Sequence, residues 1–301
     1  MEDINNNQTD PDNIIDLLKI LWSNKFPLLF ITVLLTALLV GYILFLPNYY
    51  TSSSLLKVSY PDKSEASSGL SRYAGIASLA GVSLPSASED KGQVAIETIK
   101  SRSFLKHLIS FDGVLEKLVA TKAYDHNREK IIYDETIYND NLRKWVKSKP
   151  SYLEAYDHYE DYMNISLNKA TGFISLSYEH ISPQFSFEFT NLIIRELNIL
   201  SREIDIKESS DSLLYLEGLL EDTKQTSIKI SINQMIESQL RTKMLSNIRD
   251  DYLLSPIDPP FIPELKSSPA RAVLSIMSLM LSFFMSILIV LAKELIFYKK
   301  G

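Results

Sequence analysis

The chain has 301 residues, a formal net charge of −6 and no cysteine. Its length is sufficient for one sizeable domain together with membrane anchors, and the absence of cysteine excludes disulfides, thiolate metal sites and cysteine nucleophiles. The acidic balance argues against a nucleic-acid partner, because no basic face is large enough to neutralise a run of phosphates.

Near the N-terminus, residues 27–46 form an uncharged apolar run, PLLFITVLLTALLVGYILFL. At about 1.5 Å per residue, a helix of this length is roughly 30 Å long, which matches the hydrocarbon core of a bilayer. A cleaved signal peptide is the alternative, but the run is too long, the preceding residues are acidic, and residues 47–50 lack a small-residue cleavage site. The sequence therefore predicts a transmembrane helix, preceded by a polar tail and a short amphipathic helix over Ile14–Ser23.

A second uncharged run, AVLSIMSLMLSFFMSILIVLA at residues 272–292, is also long enough to span a membrane. Two spans place both termini on the same side of the membrane. The basic residues flanking the spans are almost evenly divided between the two sides, so the positive-inside rule only weakly favours cytoplasmic termini. We therefore expect one extracytoplasmic domain between the spans.

The first half of this domain mixes predicted strands and helices. A run of β-forming residues, Tyr50–Tyr60, predicts a strand directly after the first span. Residues 61–92 are rich in Ser, Gly and Ala, which favours a loop with one short helix. The apolar spacing of Val94–Ile109 predicts one amphipathic helix, and residues 140–162 are expected to continue in short helices.

The clearest β signal comes next. Asn164–Asn168 and Phe173–Tyr178 are short segments of β-forming residues, and the second contains the alternating pattern ISLSY. Gly172 lies in the connection between them, where a tight turn would need it. These features predict a β-hairpin.

A long helical stretch follows, because residues 184–255 contain no proline and a single glycine. Leucine and isoleucine recur there every three to four residues, which is typical of helix. The hydroxyl and β-branched residues of Thr223–Ser227 favour a cap or turn over a helix interior. We therefore expect an antiparallel helical arm that turns near these residues, with a single continuous rod as the alternative.

The closing part of the domain is predicted as a strand, Tyr252–Ile257, followed by a proline-rich lead into the second span. Proline cannot continue a helix and biases its neighbours to extended geometry. The prolines of this lead are Pro259, Pro260, Pro263 and Pro269. The first and last strands are expected to lie close together, because both are tethered to spans that can pack side by side.

The sequence carries no catalytic motif of the phosphate-loop, dinucleotide, nucleophile-elbow or zinc-protease type. None of the four histidines lies at a metal-ligand spacing from another, so no catalytic residue, cofactor or metal ligand is predicted. Tyr152, Tyr156 and Tyr159 share one face of a predicted helix. Such tyrosines can bind sugar rings or pack a helix onto a sheet, and their helical spacing favours packing.

Two separated segments resemble the Wzz-type chain-length determinants, the polysaccharide co-polymerases. The first is IIDLLKILWSNKFPLLFITVLLTALLVGYILFLPNYYTSSSLLKV, residues 14–58, and the second runs from YLEGLLEDTK through SPIDPPFIPELKSSPARAVLSIM, residues 215–277. The small-residue segment GIASLAGVSL, residues 75–84, is also similar to that family. Residues 110–160 lie outside the resemblance.

The resemblance implies an inner-membrane protein with both termini in the cytoplasm. It implies an α+β membrane protein in which two transmembrane helices, 27–46 and 272–292, flank a periplasmic domain. That domain, 47–271, would consist of an α/β base (47–182 and 250–271) and a long helical arm (183–249). Segments 1–26 and 293–301 would be cytoplasmic, and the fused tyrosine kinase of some relatives is not expected on this chain.

The implied function is non-enzymatic regulation of the chain length of a lipid-linked surface polysaccharide, O-antigen or a related polymer. The expected partners are copies of the same chain in a ring, a polysaccharide polymerase, the growing polysaccharide and the lipid bilayer, with no cofactor. Two other functions stay open from the residues alone. One is an adaptor in an export complex that works with a separate kinase, and the other is a two-span periplasmic sensor. A periplasmic enzyme lacks any supporting group of residues.

Overall fold

A computed structural model of the chain describes residues 21–59, 87–248 and 251–298. Two compact units are present, one formed by residues 1–48 with 267–301 and the other by residues 49–266. The helices are α1 (Lys25–Phe45), α2 (Ala87–Lys100), α3 (Arg102–Leu108), α4 (Val114–Ala120), α5 (Tyr152–Tyr162), α6 (Pro183–Asp222), α7 (Thr226–Ile248) and α8 (Arg271–Tyr298). The strands are β1 (Tyr50–Val58), β2 (Thr121–Asp125), β3 (Lys130–Tyr133), β4 (Tyr138–Asn139), β5 (Lys144–Trp145), β6 (Met163–Leu167), β7 (Phe173–His180) and β8 (Leu254–Asp258).

The smaller unit contains α1 and α8, which pack against each other. Both are long and apolar enough to cross a membrane, as predicted. Only 11% and 22% of the residues in their most apolar windows are buried, whereas a core helix of a soluble protein would be mostly buried. The predicted helix Ile14–Ser23 lies outside the described residues except for its last three positions, which are helical.

The larger unit is built on a four-stranded sheet with the order β6-β7-β1-β8. All three pairings are antiparallel, and β1 pairs with β7 from Tyr50↔His180 to Lys57↔Phe173. The predicted strand after the first span and the predicted hairpin are both confirmed. Gly172 has φ 71° in the hairpin connection, a left-handed conformation that glycine adopts without a steric penalty. The first and last strands are neighbours in this sheet, as expected.

The core of this unit lies between the sheet and the first half of α6. Every second residue of β7 is buried, which is the period of a strand with one covered face. Phe189 and Ile193 of α6 belong to the same buried cluster as Ile174 and Leu176 of β7. Burial of each such side chain stabilises the fold by about 1.5–3 kcal/mol, so this layer holds the long helix onto the sheet.

The prediction of one helix over Val94–Ile109 is wrong, because the chain breaks at Ser101 into α2 and α3. Ser101 is extended, with φ −73° and ψ 145°, and its Oγ accepts a hydrogen bond from the Phe104 N–H at 3.1 Å. A serine side chain in this position satisfies a free N–H of the following helix. The cap at Ser101 therefore begins a new helix, although the helical spacing of apolar residues continues through this position.

The prediction of short helices throughout residues 140–162 is also wrong. Only Tyr152–Tyr162 is helical, and it begins at a capping box formed by Ser151 and Glu154. Upstream, the chain forms two small hairpins, β2–β3 and β4–β5, that the sequence analysis missed. The Tyr138 and Trp145 rings contact each other edge to face across the second hairpin, with 5.1 Å between centroids, and such cross-strand pairs stabilise short strands.

The helical arm is a hairpin of α6 and α7, as predicted, and the single-rod alternative is wrong. α6 has 40 residues, which gives a length of about 60 Å. It ends at Asp222, and the capping residue Thr223 has a ψ of 126° and donates from its Oγ1 to the Leu219 carbonyl at 2.7 Å. The predicted closing strand is confirmed with shifted bounds, and residues 61–86 of the predicted loop lie outside the described residues.

Candidate functional site

The tyrosines of α5 hold this helix against the end of α2. Tyr159 is fully buried and its hydroxyl donates to the Ile99 carbonyl at 2.8 Å, while the Tyr156 hydroxyl donates to the Lys100 carbonyl at 2.7 Å. These carbonyls belong to the last turn of α2, where no intrahelical partner exists. Burial raises the pKa of Tyr159 well above its usual value, so its hydroxyl remains a donor. Tyr152 is 40% exposed and is the most accessible ring of the three.

The proline-rich lead begins beside β1. The buried side chains of Ser52 and Ser54 donate to the carbonyls of Phe261 and Asp258 at 2.8 and 2.7 Å. Proline has no backbone N–H to donate to a strand ladder. The serine hydroxyls of β1 therefore supply hydrogen bonds to the chain where Pro259 and Pro260 interrupt the ladder. Pro260 and Pro263 are buried and Pro259 is exposed. Pro269 belongs to the smaller unit, two residues before α8.

A buried asparagine ties the arm to the closing strand. Asn198 of α6 is only 4% exposed. Its Oδ1 accepts hydrogen bonds from the Leu253 and Leu254 N–H groups at 2.9 and 2.8 Å, and its Nδ2 donates to the Leu254 carbonyl at 2.8 Å. The amide thus satisfies three backbone groups at the start of β8. Sequence reasoning missed this residue, although an amide among the leucines of a predicted core helix was a usable signal.

A second buried contact joins both arm helices to the segment before β8. The Tyr252 hydroxyl donates to Asp205 Oδ2 of α6 at 2.5 Å and lies 3.0 Å from Ser246 Oγ of α7. Tyr252 itself is fully buried. The foot of the helical arm, where α6 and α7 contact Tyr252, is therefore held by buried polar contacts. Such contacts are stronger where water is excluded.

Glu196 is a buried carboxylate on the same helix, 4% exposed. It lies 2.9 Å from His107 Nε2 and 3.0 Å from Arg195 Nε, so its charge is compensated. Within residues 21–59, 87–248 and 251–298, no group of three or more acidic or histidine side chains could hold a metal ion. This arrangement has the character of a structural ion pair.

The arm exposes large apolar side chains along its length. Tyr215 is 70% exposed and Met235 is 57% exposed, and both line a groove between α6 and α7. Other exposed apolar side chains of the arm are Ile204, Leu214, Leu219, Ile228, Ile230, Leu240, Met244 and Ile248. Exposed apolar side chains in this number are typical of a surface that contacts another protein.

In the smaller unit, α1 and α8 meet through small hydroxyl residues. Thr32 Oγ1 and Ser286 Oγ are hydrogen-bonded at 2.7 Å, and Ser278, Ser282 and Ser286 are all buried. At the end of the pair, Arg271 donates to the Leu46 carbonyl at 3.0 Å. Small residues let membrane helices approach closely, and hydroxyl pairs join them where water is absent.

One family model matches part of the chain. A model described as Wzz, chain length determinant protein, matches residues 13–111. No curated protein matches the chain. The chain is similar to a solved structure described as a full-length bacterial polysaccharide co-polymerase, with 14% identity, a TM-score of 0.39, and coverage of 94% of this chain and 97% of the other.

A further similar structure is a fragment of WzzB, polysaccharide co-polymerase, from Salmonella Typhimurium. It has 15% identity and a TM-score of 0.28, with coverage of 73% of this chain and 100% of the fragment. The family match begins before α1 and continues through β1 and α2 to the residues after α3. Over residues 13–111 the chain therefore matches the Wzz chain length determinant family, as its resemblance to that family predicts.

Proposed function

We propose that the chain is a non-enzymatic regulator of the chain length of a lipid-linked surface polysaccharide, O-antigen or a related polymer. The observation that carries this proposal is the match to the Wzz family over residues 13–111, which include the first apolar helix and β1, one of the two central strands of the sheet. α1 and α8 anchor the chain in the bacterial inner membrane. Segments 1–26 and 293–301 are cytoplasmic, and residues 47–271 lie in the periplasm as base and arm.

The regulator works as a homo-oligomeric ring beside the polysaccharide polymerase. Exposed apolar side chains on α6 and α7 support self-association, because burying them between copies removes apolar area from water. A closed ring leaves no unmatched interface. Weak contacts between one growing polymer and many subunits then add up, so that affinity rises with polymer length.

Deleting the gene tests the proposed function directly. We expect the length distribution of the host's surface polysaccharide, displayed as a ladder on a gel, to lose its modal length and broaden. The total amount of polymer should persist, since the polymerase performs the chemistry. Reintroducing the wild-type gene should restore the parental ladder. An unchanged ladder after deletion would contradict the proposal.

A double substitution on the arm tests the ring. Tyr215→Glu with Met235→Glu places two charges in the groove between α6 and α7, and we expect native mass spectrometry of the detergent-extracted chain to show smaller assemblies than for the wild type. Both side chains are exposed in the single subunit, so the fold itself should persist. The matched control is Asn233→Glu with Gln234→Glu, which adds the same charge at exposed polar positions of α7. A wild-type monomer, or equal assemblies for both double variants, would refute the interface.

A further inference from the structure

A cleft of about 470 Å³ opens where the two small hairpins meet α4 and the first turn of α6. Ligand pockets commonly have volumes of about 300–1,000 Å³. The hairpins lie beyond residue 111, outside the part of the chain that matches the family model. The cleft is therefore formed by residues outside the matched segment.

Two charged residues of the cleft have a backbone conformation that favours glycine. Glu129 has φ 51° in the connection between β2 and β3, and Arg143 has φ 49° in the connection between β4 and β5. A residue with a Cβ atom is strained there, and glycine is not. Both positions nevertheless carry a long charged side chain that lines the cleft. Backbone strain of this kind concentrates at binding sites, where a side chain is needed in a particular place.

Two tyrosine rings of the cleft are held in place by other rings. Tyr133 contacts Tyr138, with 5.3 Å between ring centroids. Tyr124 contacts His126 at 5.0 Å, and the Nε2 atom of this histidine lies 2.9 Å from the Tyr50 hydroxyl. A ring positioned in advance loses little conformational freedom when a ligand stacks on it. Tyrosine also combines a flat apolar face with a polar hydroxyl.

Both tyrosine hydroxyls are hydrogen-bond donors at physiological pH. Burial, followed by the nearby Asp140 carboxylate, raises the pKa of Tyr133 to about 12. Burial, followed by the carboxylates of Glu129 and Glu188, raises the pKa of Tyr124 above its usual value. The cleft thus offers protonated hydroxyls beside carboxylates.

The charges of the cleft form a paired group and an unpaired group. Lys117 Nζ lies 3.1 Å from Glu188 Oε2, and the other oxygen of that carboxylate accepts from Gln184 at 2.9 Å. In the part of the chain that the structure describes, four cleft side chains have no ion-pair partner within 4.0 Å. They are Glu129, Lys130, Asp140 and Arg143. Free carboxylates accept hydrogen bonds from hydroxyl groups, and free cationic groups donate to them.

We propose that this cleft binds an oligosaccharide segment of the surface polysaccharide. A sugar ring stacks on Tyr124 or Tyr133, and its hydroxyl groups donate to Glu129 and Asp140 and accept from Arg143. Acidic and basic groups are balanced in the unpaired set, so the cleft selects hydroxyl groups and does not need a charged sugar. The proposal rests on the proposed function, which supplies the polysaccharide.

The strained positions allow a test that separates binding from folding. Glu129→Gly with Arg143→Gly removes both side chains, keeps the net charge and relieves the backbone strain, so the melting temperature should be unchanged or higher. The probe is an oligosaccharide fraction released by mild acid from the host's own surface polysaccharide. Saturation-transfer NMR with the detergent-extracted full chain should show binding to the wild type and about tenfold weaker binding to the double variant, equivalent to about 1.4 kcal/mol.

The matched control is Glu135→Ala with Lys144→Ala, which also keeps the net charge and alters exposed residues of the same hairpin region. Neither residue lines the cleft, so the control should bind the fraction as the wild type does. Undetectable binding to the wild type, or equal binding to the Gly variant, would overturn the glycan site. The gene deletion tests the proposed function independently. If deletion alters the ladder but the Gly double variant binds the fraction as tightly as the wild type does, only the glycan site is rejected.

Discussion

Replacing Asn198 by alanine is expected to lower the free energy of unfolding by about 4 kcal/mol. The substitution leaves two N–H groups and one carbonyl at the start of β8 without their partner in a buried place. Each buried polar group without a hydrogen bond costs roughly 1–3 kcal/mol. Loosening of β8 should also raise amide hydrogen exchange at residues 253–258 more than elsewhere in the sheet.

Urea unfolding of the full chain in detergent measures this loss. The chain has two tryptophans, so the substitution Trp22→Phe leaves Trp145 as the single fluorescent probe, located in the larger unit. Asn247→Ala is the control, because Asn247 is exposed and its amide donates only within α7, to the Lys243 carbonyl at 2.8 Å. A loss below about 1 kcal/mol for Asn198→Ala, or equal losses for both variants, would show that the asparagine does not hold the strand.

Acidification from pH 6.5 to pH 4 is expected to remove about 3 kcal/mol of stability through His180 alone. Burial lowers the pKa of His180 from 6.5 to about 4, and this effect outweighs the opposite one of its hydrogen bonds to the backbone of Lys117 and Ser182. Its Nε2–H donates to the Lys117 carbonyl at 3.0 Å and its Nδ1 accepts from the Ser182 N–H at 3.0 Å, so the neutral ring is satisfied. The Phe185 ring packs against the His180 ring with 4.6 Å between centroids. Tyr50 of β1 is the residue paired with His180 in the sheet.

The direction of this effect follows from proton binding. Below pH 6.5 the imidazole of the unfolded chain takes up a proton, whereas the folded chain keeps the ring neutral until about pH 4. The unfolded state binds more protons in this window, so stability falls as the pH falls. Each unit of pKa difference corresponds to about 1.4 kcal/mol, which gives the stated loss.

His180→Gln should flatten the dependence of stability on pH between 6.5 and 5, above the range in which most carboxylates titrate. The control is His158→Gln, since His158 is exposed on α5 and its removal should leave the slope unchanged. Unfolding curves at several pH values in this window provide the measurement. If both variants have the wild-type slope, His180 does not titrate as its burial implies.

Several elements followed from local chemistry and were predictable from the sequence. The two apolar runs were predicted as helices because only a helix or a closed barrel satisfies the hydrogen bonds of the backbone in lipid. The hairpin around Gly172 and the turn of the arm near Thr223 were also recognisable, since a glycine with φ 71° and a hydroxyl cap act on their own neighbours. In each case the signal and the structure lie within a few residues of each other.

Other elements depended on partners far along the chain. The hairpins β2–β3 and β4–β5 have weak patterns of their own, and their rings contact Tyr50 and the core, which are distant in sequence. Tyr156 and Tyr159 could be placed on one helical face, but only the folded chain shows their hydroxyls on the carbonyls of Lys100 and Ile99. The cleft with Glu129 and Arg143 likewise has no motif in the sequence.

Local patterns in the sequence were sufficient to predict the two membrane-length helices, the helical arm with its turn, and the resemblance to the Wzz family. Periodicity and local capping are sufficient for these, because helices and tight turns are stabilised by contacts between near neighbours. The tertiary structure alone decided which polar side chains are buried and what they bind, such as Asn198 at β8. Such contacts join residues about 55 positions apart, and no local pattern encodes that distance.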